Sequence, residues 1–395
     1  PDDLPEGWRH SHFEEIEERE YIPPTEESLR LTQEQVQSFD CGTVTDVPRV
    51  ECEALVALYE STNGAGWYDK TNWLQTTTVG NWYGINVSGE HITQILLSSN
   101  YLTGTIPAEL YDLSNLLSLV LSQNQLKGTI VAELSNLSNL VRLWLYQNQL
   151  TGTIPAELGN LANLVYLELG QNQLTGTIPA ELGNLAFLKT LGLYNNQLTG
   201  TIPSELGNLT NLEWIELSHN QLTGTIPAEL GNLVFLNTLG LSSNQLTGTI
   251  PTWLGNITKL QSLLLNGNQL TGTIPTELSS LTILKWLYLG NNQLSGTIPS
   301  ELGNLTNLKY LYFSGNQFTG TIPTTLGNLR QLVYLDLSHN LLEGNVPASF
   351  TNLVNLCVDG KPVERCFNYF KTDLGYNLLN VPQPNPPSDF LYQKD

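Results

Sequence analysis

The chain has 395 residues, enough for two or three ordinary domains, and carries 37 acids against 16 bases for a formal charge of -21. That balance repels phosphate backbones and anionic lipid, which argues against nucleic-acid and membrane-surface binding. No apolar run approaches the ~18 residues of a membrane span. Met is absent even at position 1, so Pro1 is expected to follow a processing cut or an engineered boundary, where a removed signal peptide would fit.

In chain order, residues 1–40 come first, with twelve acids and three arginines around Pro23-Pro24. This composition predicts a solvated, extended arm, which if ordered must be held by its own cap or by a neighbouring molecule. His10 and His12 lie within it and read as solvated. Residues 41–91 read as a cap. Cys41 and Cys52 form a close pair there, mirrored by Cys357 and Cys366 near the other end. Such pairs suit disulfides in an oxidising compartment. The alternatives are four reduced thiols or a metal site, but neither pair has the CxxC spacing that sets two thiolates on one ion. "ALVALYESTNG" (54–64) predicts an amphipathic helix ending at Asn63-Gly64, and "NWYGI" (81–85) follows.

From Ile92 to Asn355 the chain repeats itself. Asn recurs at 100, 124, 148, 172, 196, 220, 244, 268, 292, 316 and 340, a period of 24 without a slip through eleven copies. Before each lies L-x-x-L-x-L-x-x-N, as in Leu164, Leu167, Leu169 and Asn172; after it comes x-L-x-G-x-I-P-x-x-L-x-x-L, as in Leu174, Gly176, Ile178, Pro179, Leu182 and Leu185. The L-x-L alternation predicts a short strand with its leucines inward. An Asn amide can satisfy backbone groups of adjacent turns that would otherwise be orphaned inside a coil. Gly permits a bend, and Pro ends the next short extended piece. One coil cannot bury its leucines alone, so successive coils must stack. A coiled coil would need a seven-residue period, which is absent.

This pattern resembles the leucine-rich repeat proteins of the plant-specific 24-residue class, which carry L-x-G-x-I-P after the Asn and include plant receptor ectodomains and polygalacturonase inhibitors. The resemblance covers about residues 50–366 and implies an α/β repeat solenoid: a horseshoe or superhelix with a concave parallel sheet, a second short strand near L-x-G-x-I, and a helical N-terminal cap. Plant caps usually carry cysteines on both sides of the W-x-G-[VI] element. Here Gly80 and Val87 stand nearby instead, so Cys41–Cys52 is left to staple the cap. "STNGAGWYDKTNWL" is similar to secreted bacterial members, which implies an extracellular, bacterial protein. Residues 356–370 then read as a C-terminal cap, stapled by Cys357–Cys366, and 371–395 as a Pro-rich extended tail.

On the concave sheet the outward positions flank the inward leucines. The frame leaves these positions free, and they hold Arg142, Trp144 and Tyr146, then Tyr166 and Glu168, Tyr194, and Trp214 with Glu216. A second group comprises Trp286, Tyr288, Tyr310, Tyr312, Tyr334 and Asp336, with small residues between the two groups. Exposed Trp and Tyr in rows suit a binding surface, although strand propensity and cross-strand packing favour the same residues. Glu168 and Glu216 share a column two coils apart, about 10 Å by strand spacing. They are expected as ordinary solvated acids, and no catalytic motif accompanies them. His219 and His339 are too far apart in sequence to share a metal, and no cofactor motif occurs.

The opposite surface carries a ladder of Thr-Gly-Thr, including Thr151 and Thr153, Thr175 and Thr177, Thr199 and Thr201, and Thr223 and Thr225. Stacked coils are expected to align these about 4.7–5 Å apart, similar to the faces of solenoid ice-binding proteins. Asn86, Asn136, Asn208, Asn256 and Asn304 are glycosylation sequons that a eukaryote could use.

The leading reading is therefore a non-enzymatic, secreted or cell-surface recognition scaffold, binding protein or glycan through the concave aromatic clusters. Self-assembly into extracellular filaments through the terminal arms is the alternative, and ice binding on the threonine ladder the third.

Overall fold

The computed structural model describes residues 26–356 and 372–379. These divide into two compact units: one runs to Gly128 and includes Leu145–Gln149, and the other comprises Thr129–Trp144 and the chain from Leu150. Cys357, Cys366, most of the C-terminal cap and tail, and the first 25 residues of the acidic arm lie outside the described residues.

The first unit opens with helix α1, Glu26–Ser38. This differs from the extended arm expected over 1–40. Past Pro24 the sequence holds no Pro or Gly until Gly42, and Arg30 pairs with Glu34 one turn on at 3.2 Å. Cys41 and Cys52 form a disulfide with Cα atoms 5.7 Å apart. It ties the 3-10 turn Cys41–Thr43 to helix α2, Arg49–Ser61. The inner stripe of α2 (Cys52, Leu55, Leu58 and Tyr59) follows helical spacing and is buried. Its end is where the sequence predicts it, with Asn63 in the left-handed region at φ 58°.

"WYDKTNW" and "NWYG" prove to be cap core. Trp67, Trp73 and Trp82 pack around Tyr59, with Trp73 and Trp82 centroids 4.9 Å apart. Each indole N–H donates to a backbone carbonyl, of Thr62, Tyr83 and Thr76 respectively. The buried Glu51 accepts from the Ile92 N–H at 2.7 Å and meets His91 Nδ1 at 2.5 Å, which locks α2 to the antiparallel pair Ile85–Ser88 and His91–Leu96.

The second unit is a leucine-rich-repeat solenoid. Among the described residues its main sheet has nine three-residue strands, from Arg142–Trp144 to Tyr334–Asp336, all parallel. Register is set by the repeat length, with Thr238 opposite Ser262 and Leu239 opposite Leu263. Leu164, Leu167, Leu169, Leu174, Leu182 and Leu185 are all fully buried.

The ladder Asn does what its position predicts. Asn196 Oδ1 accepts from the Leu174 N–H of the preceding coil at 3.0 Å, and Nδ2 donates to Leu169 O and Leu193 O, both at 3.1 Å. One side chain thus satisfies backbone groups of two coils. The residue before each ladder Asn turns left-handed, at φ 51° for Asn195, 57° for His219 and 52° for His339. This gives the two histidines a local role in the turn. After the Asn, Gly176 sits at φ 76°, and a Cβ there would lie 2.8 Å from the Thr153 methyl of the coil before. Pro179 then opens a 3-10 turn, Ala180–Asn184.

Replacing Asn196 by Ala orphans the buried Leu174 N–H and the carbonyls that Nδ2 serves, and should destabilise the protein by about 3 kcal/mol. Asn163, whose exposed Nδ2 donates only to Ser138 O, should cost less than about 1 kcal/mol on the same change. Urea unfolding of the two variants checks the difference.

Candidate ligand-binding face

In the second unit, the residues beside each inward leucine of the main sheet form two groups. In the first, the Arg142 guanidinium lies 4.9 Å from the Trp144 ring and 5.4 Å from the Tyr166 ring. Tyr194 meets Trp214 edge-on at 6.5 Å. In the second, Trp286 and Tyr310 lie nearly parallel, 7° apart with centroids at 6.1 Å, while Tyr288 and Tyr312 meet edge-on at 5.9 Å. Lys285 Nζ, held by Gln261 Oε1 at 2.8 Å, stands 5.8 Å from the Trp286 ring. Tyr334 OH donates to Asp336 Oδ2 at 3.1 Å, and Asp336 Oδ1 accepts from Ser338 N–H and Oγ–H. Thr238 and Ser262 separate the groups. Tyr146 belongs to the first unit and is buried.

These side chains are less open than rows of exposed aromatics. Trp214, Tyr194, Tyr288 and Tyr334 are buried, and Arg142, Trp144, Tyr166, Trp286, Tyr310, Tyr312 and Asp336 are half-buried. The cause is a set of outward glycines. A Cβ on Gly170 would meet the Tyr194 ring at 2.4 Å, and one on Gly290 the Tyr312 ring at 2.4 Å, so each ring lies down over the coil before it. The strands are about 4.8 Å apart, so rings on successive coils tile one another. The signal was present in the sequence as glycine at outward positions, where strand propensity disfavours it.

The two glutamates depart furthest from expectation. They are not solvated: Glu168 is 3% exposed and Glu216 0%. Register aligns Glu168, Gly192, Glu216 and Gly240 in one column, acid alternating with glycine. Each carboxylate fills the glycine window of the next coil, since a Cβ on Gly192 or Gly240 would lie 1.9 Å from Oε2 of Glu168 or Glu216. Glu216 Oε1 accepts from the Ser218 N–H at 3.0 Å. Oε2 of both acids has no hydrogen-bond partner among the described residues. Burial, reinforced by the charge of Glu216, holds the Glu168 carboxyl well above the usual carboxylate range. Burial pushes Glu216 up to about 7, against the lowering effect of Ser218. Asp336 is also raised by burial.

The threonine ladder is exposed throughout, from Thr151 and Thr153 to Thr223 and Thr225. Its alignment differs from the one expected, because the bridges pair Thr153 with Thr175, Thr177 with Thr199 and Thr201 with Thr223. The second threonine of one coil therefore faces the first of the next, and like positions are about 8 Å apart. The Oγ–H of Thr175, Thr199 and Thr223 donates back to Gly152 O, Gly176 O and Gly200 O. Beside the ladder runs a groove of about 1080 Å³, floored by Ile178, Ile202 and Ile226 and walled by the threonines and the Pro-Ala-Glu turns. Asn86, Asn136, Asn208, Asn256 and Asn304 are all exposed. No cluster of three or more His, Cys, Asp or Glu able to hold a metal occurs among the described residues.

With this geometry in view, comparison with known proteins is informative. The model described as leucine-rich repeat region matches residues 147–274 and 204–317, and that described as leucine rich repeat matches 307–329 and 331–353. The chain belongs to the leucine-rich repeat family. No curated protein matches it in sequence. Among solved structures it is similar to the ectodomain of the Arabidopsis thaliana membrane receptor kinase GASSHO1/SCHENGEN3, in complex with CASPARIAN STRIP INTEGRITY FACTOR 2. That match has 39% identity and a TM-score of 0.60, over 66% of this chain and 34% of the receptor chain. The chain thus spans about a third of that ectodomain's length. A plant ice-binding protein matches at 30% identity and TM-score 0.65, over 73% of this chain and 93% of its own. The Leptospira interrogans leucine-rich repeat protein LIC12759 matches at 31% identity and TM-score 0.53, over 72% of each chain. No described helix is long and apolar enough to cross a membrane.

Glu216 yields a pH prediction. Folded, it keeps its proton up to about pH 7; unfolded, it releases it near 4.5. Its contribution to stability is full below about 4.5 and is lost as the pH rises to about 7, by about 3 kcal/mol. Glu168 acts in the same direction. Unfolding free energy measured across this window should fall for the native protein and flatten in Glu168→Gln/Glu216→Gln; an unchanged slope refutes the assignment.

Proposed function

We propose that the chain is an extracellular, non-enzymatic recognition scaffold that binds a peptide or protein segment on the outward face of its main sheet in the second unit. The observation that carries this reading is the make-up of that face. The repeat frame leaves its outward positions free, yet they hold aromatic groups and buried polar atoms in place of the small residues that would fit them. Similarity to a receptor ectodomain in complex with its factor supports a protein ligand. The 24-residue L-x-G-x-I-P period fits the plant-specific class. The cap lacks the cysteines that class usually carries on both sides of W-x-G-[VI], which, with the Leptospira likeness, fits a secreted bacterial member. The terminal arms invoked for self-assembly lie largely outside the described residues, and no observation favours that alternative.

Panning a random-peptide phage library on the immobilised protein should enrich sequences whose binding falls at least tenfold in Trp286→Ala/Tyr310→Ala. Equal binding to the variant, or no enrichment, overturns the reading. A glycan-array signal lost in the same variant would instead make the ligand a sugar.

Ice binding is a second reading. It is favoured by the exposed threonine ladder and by similarity to the plant ice-binding protein. The oblique pairing of the threonines and the adjoining groove make the surface less regular than a flat lattice. If this reading holds, the protein shows thermal hysteresis that Thr177→Tyr/Thr201→Tyr abolishes; absence of both hysteresis and ice shaping in the unaltered protein eliminates it.

A further inference from the structure

The column Glu168, Gly192, Glu216, Gly240 is unlike the rest of the sheet face. Several other outward side chains pack ring on ring. Here two carboxylates are buried, each with one oxygen left without a partner among the described residues. A buried carboxylate without a partner costs several kcal/mol, and natural folds pair it or keep it protonated. Arg142, on the strand paired with that of Glu168, lies against the Trp144 and Tyr166 rings and forms no ion pair with Glu168 among the described residues. Lys189 is taken by Glu213 at 2.8 Å. Neither cation pairs with the column among the described residues, and both acids keep an unused acceptor.

The rest of the surroundings suit a cation. The Trp214 ring approaches the window over Gly192 that holds the Glu168 carboxylate, since its Cζ3 would lie 3.0 Å from a Cβ there. An aromatic ring beside a carboxylate attracts ammonium and guanidinium groups. Both glutamates occupy outward positions of three-residue strands, so a change of side-chain rotamer alone lifts a carboxylate out of its window. The intervening strand Thr190–Gly192 separates them by two strand spacings, about 10 Å.

We infer that this column is a recognition site for a basic peptide segment carrying two cationic side chains about 10 Å apart, one meeting Glu168 beside Trp214 and the other meeting Glu216. An extended polyproline-type segment presents every third side chain on one edge at about 9 Å, so basic residues at i and i+3 fit the spacing. Binding places a ligand cation against each carboxylate, so the charge that burial disfavours is compensated by the partner. The inference rests on the recognition role proposed above and names the chemistry of the ligand.

The test is calorimetric titration, at pH 7.5 and low salt, of the full chain with acetyl-Arg-Pro-Pro-Arg-amide and with the same peptide having one Arg replaced by Ala. Saturable binding is expected for the dibasic peptide, at least tenfold weaker for the monobasic one. Binding should be lost in Glu168→Gln/Glu216→Gln and reduced at least tenfold in each single Gln variant. The Gln variants remove buried charge and should fold, which an unchanged far-ultraviolet circular dichroism spectrum verifies. Equal binding by the double variant, or no saturable binding by the native protein, overturns the inference. If phage-selected peptides still bind through Trp286 and Tyr310 in that case, the recognition role stands and only the dibasic ligand falls.

Discussion

Everything in the second unit depends on how a coil with no regular secondary structure over most of its length satisfies its backbone. Nine three-residue strands cannot do this alone. The ladder Asn closes the account: one carboxamide accepts a peptide N–H from the coil before and donates to carbonyls in both coils. The amide must reach both coils, which fixes the 24-residue register and holds the leucines of successive coils in one core. Asp would lose the donors and Leu the whole set, so the amide is required by chemistry as well as by size.

The frame meets most backbone and core requirements from fixed positions, so the outward residues of the main sheet are freer to vary, although Glu216 and Asp336 still accept from the Ser218 and Ser338 N–H groups. That freedom explains why chemistry gathers there. It also explains why the face tolerates groups that would be destabilising elsewhere. A carboxylate buried in the window of a glycine is unfavourable when charged, and its raised pKa records that cost. Local departures from foldability of this kind are expected at functional positions.

The frame was legible in the sequence because period and residue type carry the same information. Leucine spacing, the ladder Asn and the Gly-Thr-Ile-Pro turn all repeat in phase, and the helix stop at Asn63 follows a turn signal. The outward face was legible in membership but not in burial. Reading Glu168 alone gives a surface acid; only its register neighbour, Gly192, shows that the side chain has a window to lie in. The same holds for Tyr194 over Gly170 and Tyr312 over Gly290. A one-dimensional reading treats each column position separately, whereas burial on a sheet face is decided by pairs one coil apart. The threonine ladder failed for a related reason: a period of 24 in sequence does not require a register of 24 in the second sheet, where Thr153 faces Thr175.

A second periodicity, of two coils, underlies the site. "LKTLGL" (188–193) and "LNTLGL" (236–241) are the glycine coils, and Glu168 and Glu216 belong to the coils before them. The same alternation runs along another edge, where Asn163 and Asn211 hold carbonyls of the preceding coil while Phe187 and Phe235, at the equivalent positions between and after them, are 59% and 55% exposed. Over residues 163–241 the 24-residue frame is thus overlaid by a 48-residue alternation, present twice, that changes only residues the frame does not use. A single-coil repeat would place an acid on every strand, with carboxylates about 5 Å apart repelling one another and no glycine to receive them. Doubling the unit separates the acids to about 10 Å and supplies the window each requires. The alternation therefore makes the buried pair physically possible, and the spacing it sets is the one a ligand has to match.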